Sequence, residues 1–272
     1  MCHCLNKSKK IYEIIDFTVS VTNLLLDDSG WARYEVGAQS PLYFDIQLES
    51  NVNKVSTMYS NIELYRNFNK GDQLLRLEED LLRIDKDWKH GTIVSVSNFE
   101  NVYTFLNILF YSEAAKKRML QLHSSLIDFQ GQGLMFLGPS GIGKTTQAEL
   151  WNRYRDALII NGDIVFVQEK EDCFLGWGTP WHGSSPYCEN ASVPVKALVV
   201  LKQAPENSIR ELTGFEKVTA VSNSVFYPQW LENGMELCLE TLDHLLTRLP
   251  VYELRCRPDE EAVKLTEETI FH

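Results

Sequence analysis

Residues Gly138 to Thr145 read Gly-Pro-Ser-Gly-Ile-Gly-Lys-Thr, which matches the spacing G-x-x-x-x-G-K-[ST] of a phosphate-binding loop. Its glycines let several backbone N–H groups face one concavity, and the N-terminus of a following helix adds attraction for a polyphosphate. In this motif Lys144 contacts the β- and γ-phosphates, and the Thr145 hydroxyl reaches Mg²⁺. The nucleotide-contacting residues predicted here are Gly138, Pro139, Ser140, Gly141, Ile142, Gly143, Lys144, Thr145 and Thr146. The alternative is a glycine-rich turn before an ordinary helix, with Lys144 in solvent.

The neighbouring sequence supplies the context that this motif requires. Leu134–Leu137 is a short apolar run, which predicts a buried strand. Thr146–Tyr154 contains no Gly or Pro and repeats its apolar residues at a spacing of three, which predicts a helix. Strand, glycine loop and helix therefore follow one another, as they do in phosphate-binding loops.

A carboxylate follows the next predicted strand. Ala157–Ile160 is apolar, and Asp163 comes 18 residues after Thr145. A carboxylate at the end of a neighbouring buried strand is suited to complete a Mg²⁺ shell beside the phosphates. We therefore expect Thr145 and Asp163 to be the metal-side residues. The alternative is that Asp163 only caps a hairpin turn.

Composition restricts the class of protein. The 272 residues are 44% hydrophobic and 11% aromatic, which is typical of a folded globular chain. The net charge of −11 argues against a nucleic-acid or anionic-membrane partner. No stretch of 18 apolar residues predicts a transmembrane helix, and the first ten residues carry no apolar signal segment. We expect a cytoplasmic protein that binds neither nucleic acid nor membrane.

The pattern along the chain predicts two domains, residues 1–100 and 101–272. In the first, strands are predicted at Ile11–Val21, Tyr43–Leu48 and Thr92–Ser97, whereas the period of 74–84 fits either strands or a helix. A helix is predicted from Asn101 to Leu122. Residues 1–100 are therefore predicted to form a smaller β-rich N-terminal domain.

Residues 101–272 alternate predicted strands and helices, which favours an α/β fold with a mostly parallel sheet. Strands are predicted at 125–129, 134–137, 157–160, 164–167, 173–177, 195–201 and 251–255, and helices at 146–154, 231–247 and 259–269. Two pairs, 125–137 and 164–177, are predicted to be hairpins.

The stretch from Leu122 to Asp163 resembles the superfamily of HPr kinases and ATP-type phosphoenolpyruvate carboxykinases. HPr kinases show a similar order of a hairpin that begins with a histidine, here His123, a phosphate loop containing Ser140-Gly141, and an aspartate pair after the next strand. The resemblance is close over these residues and looser from 110 to 272. It implies a P-loop kinase-like domain that uses ATP and Mg²⁺, and related kinases also assemble into homo-oligomers.

The sequence departs from HPr kinases at one position of the site. Gly162 stands where those kinases carry the first aspartate of the pair, which assists removal of the acceptor proton, and only Asp163 is kept. The segment Trp177–Gly183 looks like one in small carboxykinase-like proteins, some of which accompany peptide-modification systems, including lasso-peptide kinases. The resemblance thus implies phosphoryl transfer to a hydroxyl of a peptide, a protein serine or a small molecule.

Two histidines are candidates to replace the missing aspartate. His123 matches the family histidine near the phosphates, and His182 lies in a segment of Gly, Ser and aromatic residues that is typical of an active-site loop. We predict that the loop from Gly178 to Ser185 covers the γ-phosphate and lines the acceptor site. The predicted catalytic residues are Lys144, Asp163, His123 and His182. Two other functions stay open: a nucleotide-binding regulatory or scaffold protein, which Gly162 favours, and a carboxykinase-like lyase.

Overall fold

The computed structural model describes residues 9–22, 29–37, 41–49, 63–65, 72–95 and 99–272. The chain divides into two compact units, Met1–Glu113 and Ala114–His272. The division lies 13 residues after the boundary expected from sequence. Helix α2, Phe99–Lys116, packs with the first unit, where Phe110 meets Phe17 edge to face at a centroid distance of 5.0 Å.

The described part of the first unit is mainly one twisted sheet. Its strands are β1 Lys9–Ile14, β2 Phe17–Thr22, β3 Phe44–Glu49, β4 Glu63–Tyr65, β5 Gln73–Leu77, β6 Asp80–Ile84 and β7 His90–Val94, in the order β1-β2-β3-β7-β6-β5-β4. A short helix, α1, spans Ser29–Ala32.

Three expectations for this unit change in the structure. The single strand predicted at Ile11–Val21 is a hairpin, because Ile15 turns the chain with a positive φ of 57°. The ambiguous stretch at 74–84 is a pair of antiparallel strands. The strand predicted at Thr92–Ser97 is described only as far as 95, and its last two residues lie outside the described ones.

The second unit contains the predicted α/β elements with shifted ends. Its strands are β8 Met119–Phe129, β9 Gln132–Leu137, β10 Leu158–Asn161, β11 Ile164–Glu169, β12 Phe174–Trp177, β13 Ser192–Gln203, β14 Ser208–Leu212, β15 Val225–Phe226 and β16 Val251–Cys256. Its helices are α3 Lys144–Arg155, α4 Gly214–Ser222, α5 Gly234–Arg248 and α6 Glu260–Ile270. None of the helices in the described ranges is long and apolar enough to cross a membrane.

The helix predicted from Asn101 to Leu122 is too long by six residues. Helix α2 ends at Lys116, and Arg118 then takes a positive φ of 55°, a conformation that stops a helix. From Met119 the chain enters β8, an 11-residue strand whose residues are nearly all buried. Pairing with neighbouring strands overrides the helical pattern there.

The second unit has an α/β fold as predicted, but its sheet is not mostly parallel. Only β13 pairs in parallel, with β9 on one side and β16 on the other, and the remaining pairs are antiparallel. Hairpins cause this difference, because strands joined by short turns, as β8–β9 and β11–β12 are, must run in opposite directions. The prediction of a mostly parallel sheet was therefore wrong.

Strand direction brings the phosphate loop and Asp163 to one edge. Both β9 and β10 run antiparallel to β8 and lie on either side of it. They therefore run in the same direction and end at the same edge of the sheet. The loop that follows β9 begins at Gly138, and the turn that follows β10 contains Asp163. Two segments that are distant in sequence thus become neighbours.

An aromatic cluster fixes the helix that carries the phosphate loop. Trp151 of α3 is fully buried and packs edge to face on Phe129 of β8 at 5.2 Å between ring centroids. Phe271, just after α6, packs on the same Phe129, also at 5.2 Å. Helix α6 begins where the Asp259 carboxylate accepts the backbone N–H of Ala262 at 3.1 Å, a normal N-cap. The helix below the loop is therefore held by the core and not by the loop alone.

Glu253 of β16 is a buried carboxylate among three cations. It is 3% exposed and accepts from Lys202 Nζ at 2.7 Å, Arg210 Nε at 3.2 Å and Arg255 Nε at 3.0 Å. Burial by itself would raise the pKa of Glu253. Hydrogen bonds from Lys202 and Arg255, with the charge of Arg210, outweigh burial and lower the pKa to about 2.

We predict that Glu253→Gln lowers the free energy of unfolding by about 2 kcal/mol at pH 7, because the cations lose their carboxylate. A carboxyl with a lowered pKa stabilises the fold above its ordinary pKa of 4.5, and this contribution is lost as pH falls toward 2. Urea unfolding should therefore show that the difference between wild type and Glu253→Gln shrinks to less than half by pH 3. The exposed Glu268→Gln is the control, and an equal difference for Glu253→Gln at both pH values would contradict the assignment.

Candidate functional site

The phosphate loop has the curled shape that its glycines predict. Gly138, Gly141 and Gly143 have positive φ angles of 139°, 76° and 112°, which residues with a side chain rarely adopt. Helix α3 begins directly afterwards, so its first N–H groups face the concave side of the loop. Pro139, Ser140, Gly141 and Thr146 are exposed, whereas Ile142 and Gly143 are half-buried.

The lysine of the loop points inward. Lys144 is only 6% exposed, and its Nζ donates to the Gly138 carbonyl at 3.1 Å and to the Pro139 carbonyl at 3.2 Å. Burial lowers the pKa of Lys144, and the negative charge of Asp163 works against that shift. Two neutral carbonyls are weak partners for a buried ammonium. A phosphate would be a stronger one.

Thr145 connects the loop to the turn after β10. Its Oγ1 donates to the Gly162 carbonyl at 3.0 Å. In the next residue, the Asp163 Oδ1 lies 3.0 Å from His123 Nε2. The structure therefore brings together four residues that were predicted from sequence: Lys144, Thr145, Asp163 and His123.

His123 is held through both its backbone and its ring. Its backbone N–H donates to the Ser224 carbonyl at 2.8 Å, and the Ser124 N–H donates to the Asp163 carbonyl at 2.9 Å. The phenyl ring of Phe226 lies 6.2 Å from the imidazole, centroid to centroid. If Asp163 is ionised, Nε2 must carry the proton of their hydrogen bond. Nδ1 of a neutral His123 is then a proton acceptor, and among the described residues it has no hydrogen-bond partner.

Asn161 was not predicted, yet its side chain organises this edge. It is fully buried, and its Oδ1 accepts the backbone N–H groups of Asp163 at 2.9 Å and Ile164 at 3.0 Å. Its Nδ2 donates to the carbonyls of Thr179 and Trp181, both at 3.2 Å. Every donor and acceptor of the amide is therefore in use. The sequence signal for half of this role is Asn-Gly-Asp, because asparagine often bonds the backbone two residues ahead.

The predicted loop Gly178–Ser185 lies over Asp163. At Gly183, which has a positive φ of 57°, a Cβ atom would lie 2.9 Å from Asp163 Cγ and closer still to Oδ2. A Cβ atom at Gly178 would lie 2.8 Å from Ile160 Cγ2 and would collide with the Glu189 carbonyl. Both glycines thus permit close packing of the loop on its neighbours.

His182 is engaged inside its own turn. The Ser185 N–H donates to the His182 carbonyl at 3.0 Å, and His182 Nδ1 bonds the Ser185 carbonyl in return. The neighbouring Trp181 is buried and lies 6.3 Å from Phe166 between ring centroids, so it packs on the domain. His123, the other candidate histidine, contacts Asp163 directly.

A cavity of about 530 Å³ adjoins the phosphate loop at Gly141–Gly143. It lies where the parallel strands β9, β13 and β16 end, which is the edge at which α/β sheets bind ligands. Its lining residues are Gly141, Ile142, Gly143, Thr146, Gln147, Leu201, Lys202, Gln203, Ala204, Cys256, Arg257 and Pro258.

The residues at this edge suit a nucleotide with Mg²⁺. The loop offers backbone N–H groups and a buried ammonium, and Thr145 and Asp163 offer one hydroxyl and one carboxylate. Among the described residues, no group of three or more His, Cys, Asp or Glu side chains could hold a metal by itself. Mg²⁺ in phosphate sites is typically held by one or two protein oxygens together with phosphates and water, which this edge can provide.

Comparison with known proteins confirms the resemblance to HPr kinases. It is 22% identical over 189 residues to an HPr kinase/phosphorylase of Mycoplasmopsis pulmonis, a match that covers 69% of this chain and 58% of that protein. The chain thus spans less than two thirds of that relative. Residues 93–258, more than half of the chain, match one family, and the chain belongs to it: the family described as SynChlorMet cassette protein ScmC.

One solved structure is similar to a limited degree. The Hpr(Ser) kinase/phosphatase from Coxiella burnetii aligns with a TM-score of 0.34 and 9% sequence identity. The alignment covers 55% of this chain and 95% of that one. The α/β assignment follows from the two sheets and six helices in the described residues.

We predict that Asn161→Ala destabilises the protein by on the order of 3 kcal/mol, because four backbone groups lose their partner. Asn161→Asp keeps the acceptor but places a carboxylate against two carbonyls, so it should destabilise the fold as well. Urea unfolding measures both effects, and hydrogen exchange should show faster exchange at the amides of Asp163 and Ile164. Asn152→Ala, which removes a single bond to the Ala157 carbonyl, is the control. Wild-type stability and exchange in Asn161→Ala would refute this role.

Proposed function

We propose that this chain is a Mg-ATP-dependent kinase that transfers a phosphoryl group to a hydroxyl of a peptide, a protein serine or a small molecule. The observation that carries the proposal is the meeting of Lys144, Thr145 and Asp163 at one edge of the sheet. The similarity to an HPr kinase/phosphorylase supports a kinase-type enzyme. Among these acceptors, the similarity to this relative favours a protein or a peptide.

Binding of the triphosphate is assigned to the loop and to α3. Backbone N–H groups of Gly138–Gly143 and the N-terminus of α3 hold the β- and γ-phosphates. The Lys144 ammonium leaves its two carbonyl partners and pairs with these phosphates. Thr145 and Asp163 hold Mg²⁺, which when bound neutralises charge on the β- and γ-oxygens.

The nucleoside is assigned to the cavity beside the loop. Gly141–Gly143 form part of the cavity wall as well as the phosphate loop, so one ligand can occupy both. Leu201 and Ala204 supply apolar surface, and Gln203 and Arg257 supply polar groups. Pockets of 300–1,000 Å³ are typical of small-molecule sites, and this cavity has about 530 Å³.

Removal of the acceptor proton is assigned to His123. Asp163 Oδ1 fixes the ring through Nε2, which leaves Nδ1 to take the proton. The carboxylate thereby orients the ring, as an acidic residue does for other catalytic histidines. HPr kinases place an aspartate at the position of Gly162. With His123 as the base, the proposed reaction does not need that aspartate.

A second candidate is a nucleotide-binding regulatory protein that does not transfer phosphate. Gly162 favours it, because the usual proton-accepting side chain is absent and a Cβ atom there would collide with Ser185. Product analysis with ATP separates the candidates. A phosphorylated acceptor supports the kinase, nucleotide binding without turnover supports the regulator, and nucleotide-dependent conversion of oxaloacetate would indicate a carboxykinase-like lyase.

We predict that Lys144→Ala weakens binding of Mg-ATP by at least tenfold, since charge-assisted hydrogen bonds to phosphate are lost. Isothermal titration calorimetry with the β,γ-imido analogue of ATP measures this effect without turnover. Lys196→Ala, which removes an exposed lysine of β13, should bind like wild type. Equal affinity of wild type and Lys144→Ala would refute nucleotide binding by this loop.

We predict that His123→Ala lowers phosphoryl transfer by about 10²-fold, the usual scale of general base catalysis. His182→Ala should have the smaller effect, because His182 is bonded within its own turn. The assay is transfer of the γ-phosphate of ATP to an array of peptides that contain serine and threonine. If His182→Ala shows the large loss and His123→Ala does not, the base is His182. If both retain wild-type rates, neither histidine is the base.

A further inference from the structure

Ser185 fills the space into which a side chain at residue 162 would point. A Cβ atom built on Gly162 would lie 2.5 Å from Ser185 Cβ and closer still to Ser185 Oγ. Gly162 has no positive φ, so its backbone conformation alone does not require glycine. Glycine is needed there because Ser185 lies directly against it.

The hydroxyl of Ser185 is buried at the edge where the phosphate loop and Asp163 meet. Ser185 is 7% exposed, and its Oγ accepts the backbone N–H of Tyr187 at 3.2 Å. That bond uses a lone pair and leaves the hydroxyl proton to be donated. Ser185 lies against the α-carbon of Gly162, and the Thr145 hydroxyl donates to the carbonyl of the same residue. The serine is thus one residue away from the hydroxyl assigned to Mg²⁺.

The backbone around Ser185 fixes this position. The Ser185 N–H and carbonyl are both bonded to His182, which closes a tight turn. Asn161 ties the start of the same loop, at Thr179 and Trp181, to the strand end. The hydroxyl is therefore held on a rigid segment, as a group that recognises a ligand must be.

We propose that the Ser185 hydroxyl donates a hydrogen bond to the γ-phosphoryl group of bound ATP, and that Gly162 is small in order to admit it. Ser185 is then a positioning residue that distinguishes ATP from ADP. This inference rests on the proposed function, because it requires a triphosphate in the loop that ends at Thr145.

The test compares the affinities of two nucleotides. Calorimetry in the presence of Mg²⁺ gives the affinities of the β,γ-imido analogue of ATP and of ADP for each variant. In Ser185→Ala, the ratio of the affinity for the triphosphate to that for ADP should fall roughly tenfold, since one bond to a charged group is lost. The affinity for ADP itself should not change. Ser184→Ala, which alters the exposed neighbouring serine, should keep the wild-type preference.

A pair of compensating substitutions at residues 162 and 185 gives an independent test. Gly162→Ala should displace Ser185, lower the melting temperature and cause the same loss of preference as Ser185→Ala. Gly162→Ala with Ser185→Gly removes the clash, so the melting temperature should recover whereas the preference should not. This pattern separates lost contact from lost fold.

Three results would overturn the inference. Equal weakening of both nucleotides by Ser185→Ala would mean that the serine is only structural. An unchanged preference in that variant would mean that it does not reach the phosphate. If wild type binds neither nucleotide, the proposed function fails together with the inference. If wild type binds both and Lys144→Ala weakens them, the proposed function stands while the Ser185 result decides alone.

Discussion

The arrangement of the site depends on one buried amide. Asn161 ends β10, and its side chain bonds the turn that carries Asp163 on one side and the loop that carries Ser185 on the other. All four hydrogen-bonding capacities are satisfied inside the protein, where an unpaired polar group would be costly. The relative position of the two segments is therefore fixed before any ligand arrives, and Thr145 then joins α3 to the same turn. Loss of that amide would leave four backbone groups of these two segments without their partner.

Local sequence was enough to predict the parts that depend on local conformation. The spacing of three glycines and Lys144 requires a curled loop before a helix, and the structure has both. The hairpin before the loop was correct because apolar runs on either side of a glycine turn leave few other arrangements. The resemblance to HPr kinases named His123 and Asp163, which lie in contact. Their roles stay predictions until a ligand or a rate is measured.

Contacts between distant segments could not be predicted in the same way. Nothing in the sequence shows that Ser185 lies against Gly162, or that Gly183 lies against Asp163, because the β11–β12 hairpin separates the members of each pair along the chain. The same applies to the sheet, since alternation of strands and helices favoured parallel pairing whereas hairpins impose mainly antiparallel pairing. The close packing at Gly178 and Gly183 likewise involves residues that are distant in sequence, Glu189 and Ile160 for the first and Asp163 for the second. Burial and backbone approach decide such questions, and neither has a local signal.

The most direct test of the central claim is a crystal structure with Mg²⁺ and the β,γ-imido analogue of ATP. We expect the triphosphate to lie in the loop Gly138–Thr145, with Lys144 Nζ moved from the carbonyls of Gly138 and Pro139 to the phosphates. Mg²⁺ should lie about 2.1 Å from Thr145 Oγ1, with Asp163 bound to the metal or to its waters. A nucleotide bound elsewhere, with Lys144 still on its two carbonyls and Asp163 remote from the metal, would contradict nucleotide binding at this loop.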